Sequence, residues 1–205
     1  ITRQFERLFQ AANVRFAGNI ELGRDLSLAD LRANFDVVVL ATGLSADRGL
    51  GLPGGELQGV FGAGAITRAL NTHPDEPSSL PELGTDVVLI GAGNVALDLL
   101  RFLVKDREHY EASDIADNTL EQYLAAPAER VTVASRSNAV RSKGDPQMLR
   151  ELAALPRGTY ATPDELTHDD TRELDRTESN RLAALSELCS PVRPTHPGPA
   201  VTLRF

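Results

Sequence analysis

The stretch Asp86-Val87-Val88-Leu89-Ile90-Gly91-Ala92-Gly93-Asn94-Val95-Ala96-Leu97-Asp98 decides the fold class. The apolar run Val87 to Ile90 predicts a buried strand, and the pattern from Asn94 to about Lys105 predicts an amphipathic helix. Between them lies Gly91-x-Gly93-x-x-Ala96. A glycine at 91 allows a tight exit from the strand, and one at 93 leaves no Cβ in the way of a diphosphate. A small residue at 96 lets the helix pack close to the strand. The unpaired N–H groups of Asn94 and Val95 and the positive end of the helix dipole suit an anion. The expectation is an α/β, doubly wound, Rossmann-like parallel sheet with a dinucleotide on this turn. A merely structural strand-to-helix turn is the alternative, and Asn94 itself reads equally as a helix cap or a cofactor contact.

The end of the next strand bears on which dinucleotide binds. Val131 to Ala134 predicts that strand, and Ser135-Arg136-Ser137 follows, with Arg141 and Lys143 beyond. No carboxylate lies between Thr132 and Gly144 to take a ribose 2′-hydroxyl. Arg136 suits a 2′-phosphate, and Ser135 or Ser137 adds a hydroxyl donor. For Arg141 and Lys143, a solvated basic loop is the competing reading.

Outward from this centre, Phe5, Leu8 and Phe9 suggest a short helix, and Val14 to Ala17 alternates like a strand. Ser27 with Asp30 makes an imperfect capping box. Asp36 to Ala41, a β-branched run ending in Thr42-Gly43, predicts a parallel strand buried on both faces. Gly49 to Gly64 reads as glycine-rich turns, Asn71 to Gly84 as a proline-bearing surface loop, and Asp106 to Asn118 as a polar insertion. Helices are expected over 117–125, 146–155 and 169–188, and a final strand over 200–205 that needs a partner.

The 205 residues carry 41% hydrophobic and 24% charged side chains, so a soluble globular chain is expected. A net charge of −8 argues against nucleic acid, and no apolar run spans a membrane. Cys189 is the only cysteine, which excludes an internal disulfide and predicts the cytoplasm. His73, His109, His168 and His196 look scattered, with no zinc spacing and no catalytic pattern, so no metal and no catalytic residue are assigned.

The run Asp86 to Asp98 resembles the NADP-binding turn of adrenodoxin reductase and the related FAD-containing ferredoxin–NADP reductases. Phe16 to Asp25, Leu52 to Phe61, Ser113-Asp114-Ile115 and Leu149 to Leu152 resemble further stretches of that family, in the same order. The resemblance implies hydride exchange between NADPH and FAD, then single-electron transfer to a ferredoxin-like iron–sulfur protein. It implies cofactor contacts at Gly91, Ala92, Gly93, Asn94, Val95, Ser135, Arg136 and Arg141. Ala92 stands where the family often has Gln, Ser135-Arg136 replaces paired arginines, and no acidic counterpart is evident near Met148.

No second glycine fingerprint for a flavin diphosphate precedes residue 91, since Gly62-Ala63-Gly64 lacks a strand ahead of it. Residues 1–43 are therefore expected to be a partial FAD-domain segment and 44–205 the NADP-binding domain, with the family's C-terminal segment starting about where Phe205 stands. The isolated chain is expected to be inactive as a reductase. A free-standing nucleotide-binding regulatory module is the alternative, and a dehydrogenase acting on a small substrate is the third reading.

Overall fold

The computed structural model describes residues 2–11, 13–44, 46–77, 79–111, 113–166, 173–193 and 195–205. The chain divides into two compact units, Ile1–Leu44 and Ser45–Phe205.

In the first unit, α1 (Thr2–Phe9) brings Phe5 and Phe9 into a stacked pair, and Phe16 packs on Phe9 at 5.3 Å between ring centres. Helix α2 (Leu28–Asn34) starts at a complete capping box, in which the Ser27 hydroxyl accepts from Asp30 N–H and the Asp30 carboxylate accepts from Ser27 N–H. The strands expected at Val14 to Ala17 and Asp36 to Ala41 are not formed. Val37 and Val39 are 76% and 79% exposed. A β-branched run holds a strand only when a neighbouring strand takes its backbone groups, and among the described residues none pairs there.

In the second unit, four parallel strands make one sheet of order β1-β2-β4-β3. They are β1 (Asp86–Ile90), β2 (Arg130–Ala134), β3 (Arg157–Ala161) and β4 (His196–Arg204). The C-terminal strand therefore finds its expected partner on both sides. Between β1 and β2 the chain forms α4 (Asn94–Val104), a 3-10 turn at Arg107–Tyr110, and α5 (Asp117–Ala125). Helix α6 (Pro146–Ala154) links β2 to β3, and α7 (Arg176–Leu188) links β3 to β4. Of the long helix expected over 169–188, residues 169–172 lie outside the described residues, as does His168, and the helix begins at Arg176 behind an Asp175 capping box.

Val131, Val133, Val201, Leu203 and Tyr160 alternate into a core shared with Leu100, Leu152, Leu185 and Leu188. Truncating such a leucine to alanine costs about 2–5 kcal/mol. Strand β1 is one-sided: Val87 and Leu89 pack on the core, while Val88 and Ile90 are 60% and 58% exposed. It lies at the sheet edge, bonded to β2 alone among the described strands. The polar insertion before α5 hides an anchor: Tyr110 is buried and its hydroxyl donates to the Phe102 carbonyl.

Candidate functional site

Gly91 leaves β1 with φ +111°, a left-handed conformation that favours glycine, and its N–H donates to Ala134 O at 2.7 Å. This bond sets the turn beside the end of β2, because Ile90 and Ala134 are paired in register. Gly93 is the N-cap of α4 in extended backbone, with no side chain capping the helix. A Cβ built on Gly93 meets one neighbour, Lys143 Cβ at 4.0 Å. The space above Gly91 and Gly93 is open, and no side chain caps the first N–H groups of α4. These are the steric and electrostatic conditions for a diphosphate, so the residues present fit a dinucleotide.

The turn opens on a cleft of about 710 Å³, within the range of small-molecule sites. Gly91, Gly93, Asn94, Val95 and Ala96 line it, and Phe61, Ile66 and Leu99 contribute to its apolar wall. A second helix, α3 (Ala63–Leu70), also starts on this cleft. Two of its first N–H groups are already taken: Asp47 Oδ1 accepts from Gly64 N–H at 2.7 Å and Oδ2 from Ala65 N–H at 3.0 Å. Of the two helix N-termini at the cleft, α4 is the one left without an acidic cap.

The structure places the expected contact residues unequally. Gly91, Gly93, Asn94 and Val95 come together at the cleft, whereas Ala92 turns away and packs against the core. Asn94 neither caps α4 nor points freely to solvent, since its Oδ1 accepts from Asp145 N–H at 2.9 Å. Ser135, Arg136 and Arg141 lie on the loop after β2, outside the cleft lining. The Ser135 hydroxyl is engaged locally, donating to Ser137 O and accepting from Ser137 N–H. Arg136 is exposed and has no hydrogen-bond or ion-pair partner among the described residues. Asp98 ties segments together through Arg101, which bridges it to Glu151 of α6 at 2.7 and 2.8 Å.

Asp47 and α3 escaped sequence reasoning. The Ile66, Ala69, Leu70 spacing was a usable helix signal. The acceptor seventeen residues upstream of Gly64 had none. The histidines are less scattered than expected. His196 Nε2 lies 2.9 Å from Asp106 Oδ2, and His109 Nδ1 lies 3.7 Å from the same oxygen. Asp106, Glu108 and His109 offer ligand atoms within 4.8 Å of one another, but the Arg157 guanidinium already faces Asp106 at 4.0 Å. Burial pushes the half-buried Cys189 thiol above its ordinary range, which disfavours the thiolate form.

No family model matches the chain. It is 42% identical over 174 residues to cindoxin reductase of Citrobacter braakii, a match that covers 84% of this chain and 37% of that protein. It is 37% identical over 154 residues to the mitochondrial NADPH:adrenodoxin oxidoreductase of Arabidopsis thaliana, covering 74% and 32%. FprA of Mycobacterium tuberculosis, solved in complex with NADPH, superposes with a TM-score of 0.81 at 29% identity, over all of this chain and 46% of that one. The chain thus spans about a third to a half of the length of these proteins. Strand, glycine turn and helix agree with what the sequence motifs implied, and the similarity runs through most of the chain. The chain belongs to the adrenodoxin reductase and ferredoxin–NADP reductase family.

Proposed function

We propose that this chain is the NADP(H)-binding portion of an FAD-dependent oxidoreductase that passes electrons between NADPH and a ferredoxin-like iron–sulfur protein. The observation that carries the reading is the uncapped N-terminus of α4 behind Gly93, open to the cleft. Gly91, Gly93, Asn94 and Val95 form the diphosphate side of the site. Arg136, two residues past the Ala134–Ile90 pair, takes the 2′-phosphate, assisted by the Ser135 turn and Arg141. Ala92 contributes its backbone alone.

In such an enzyme the flavin supplies the hydride acceptor. The glycine turn that a flavin diphosphate needs is not among the described residues, so no flavin contact is assigned. Residues 1–43 are read as a piece of the FAD domain, which accounts for the exposed apolar side chains Val37, Val39 and Leu40. The domain from 44 onward binds the nucleotide. The names of the relatives favour this reading over a free-standing regulatory module.

No described helix is long and apolar enough to cross a membrane. A net charge of −8 gives no support to nucleic-acid binding. Cytoplasmic residence belongs to the same proposal, supported by a lone cysteine without a disulfide partner.

The test is calorimetric titration of the purified 205-residue chain with NADPH and NADH, together with its absorbance spectrum. Tighter binding of NADPH by a colourless chain without reductase activity is expected. Equal affinity for the two nucleotides, or a stoichiometric flavin spectrum, would overturn the assignment.

A further inference from the structure

The segment from Lys143 to Asp145 is fastened against the glycine turn at several points. A Cβ on Gly144 would meet Ala92 O at 3.1 Å and Leu97 Cδ1 at 3.0 Å, so its backbone lies directly on the turn and on α4. Asp145 N–H donates to Asn94 Oδ1 at 2.9 Å. From the other side, Arg181 of α7 donates to Gly144 O at 2.9 Å and to Val140 O at 2.7 Å. Lys143 is thereby carried at a fixed place beside Gly93, with its Cβ next to the open space over that glycine. Its side chain lines the cleft, is exposed, and has no hydrogen-bond or ion-pair partner among the described residues.

We propose that Lys143 is the side-chain anchor for the dinucleotide diphosphate, and that Arg136 and Lys143 divide the cofactor's phosphates between them. The proposal rests on the dinucleotide reading above and deepens it. A turn of this type normally offers a diphosphate backbone N–H groups and a helix dipole. Here an ammonium on a flexible stem is added beside the same anion, with its backbone held in advance. Arg136 stands past the end of β2, one strand away, where a planar guanidinium suits a terminal 2′-phosphate. Lys143 therefore contributes to every dinucleotide alike, while Arg136 discriminates between them.

The experiment measures NADPH, NADH and inorganic pyrophosphate binding to the wild-type chain, Lys143→Ala, Lys143→Arg and Arg136→Ala by calorimetry at two salt concentrations. Lys143→Ala is expected to weaken NADPH and NADH by about the same factor, roughly tenfold. It should also flatten the salt dependence, and Lys143→Arg should restore most of the loss. The melting temperature should not move, because the side chain is exposed and unpaired. Pyrophosphate should compete with nucleotide more weakly in Lys143→Ala than in wild type. Unchanged affinities in Lys143→Ala would make it a solvated lysine and overturn the proposal. A loss confined to NADPH would place it on the 2′-phosphate and overturn it too. A wild-type chain that binds neither nucleotide would sink the dinucleotide reading itself, an outcome separate from a binding wild type with an indifferent Lys143→Ala.

Discussion

The side-chain oxygen of Asn94 accepts a hydrogen bond from the backbone N–H of Asp145 at 2.9 Å, so the first residue of α4 is tied to the residue that caps α6. Asn94→Ala should cost about 0.5–1.5 kcal/mol of stability, the net worth of one such bond. Asn94→Asp keeps the acceptor but sets a negative charge beside the proposed diphosphate position. It should retain stability and bind both nucleotides more weakly. Urea unfolding and calorimetry of the two variants separate the roles, and equal nucleotide loss in both would point to a direct amide contact instead.

Cofactor choice should depend on Arg136. A charge-assisted contact to the 2′-phosphate is worth about 1.5–3 kcal/mol, so Arg136→Ala should lose NADPH affinity by roughly tenfold to a hundredfold. NADH binding should barely change. Titration with both nucleotides decides this, and parallel losses would show that Arg136 serves the diphosphate.

The two glycines of the turn should fail differently. Gly93 has φ −96° and ψ 179°, which a β-branched residue adopts, and its neighbourhood is open. Gly93→Val should still fold, losing about 1 kcal/mol because valine is a poorer N-cap than glycine, yet lose nucleotide binding, because the side chain fills the space proposed for the diphosphate. Gly91 has φ +111°, so Gly91→Val should cost about 1–3 kcal/mol in the absence of any ligand. Thermal unfolding with and without NADPH reads both effects. A nucleotide-induced rise in Tm that survives Gly93→Val would remove the diphosphate from this turn.

Stability at low pH should fall in part through Asp86. Its carboxylate pairs with the Arg130 guanidinium across β1 and β2, and that hydrogen bond holds its pKa below the usual range. A depressed folded-state pKa stabilises the protein above the unfolded value of about 3.9, and the contribution is lost as pH falls through the folded value. Asp86→Asn should therefore lower Tm at neutral pH and converge with wild type in strong acid. A difference that stayed constant across a pH series of melting curves would show that the pair acts through packing rather than charge.

Much of the second unit was legible because its signals are local. Val87 to Ile90, the glycine turn and the α4 periodicity are contiguous, and steric rules act over a few residues. The Ser27–Asp30 capping box was legible for the same reason. The run Asp36 to Ala41 carried an equally strong strand pattern and formed no strand, because a pattern specifies propensity while a ladder needs a neighbour. Strand β3, with glycine at 158 and a shifted register between Arg157 and Thr159, had too short and irregular a pattern to read.

The amino-acid sequence by itself determined the strand, the turn, the helix and the basic loop without a carboxylate, each an effect of neighbouring residues on backbone and charge. The tertiary structure alone decided which groups remain available. Asp47 neutralises one helix start, the Ser135 hydroxyl is consumed by its own turn, and Asn94 is spent on Asp145. Gly144 and Arg181 set Lys143 beside Gly93 across a separation of fifty residues in sequence. Hydrogen-bond satisfaction depends on every group within about 3 Å, whatever its distance along the chain. Only the folded backbone brings those groups to that range.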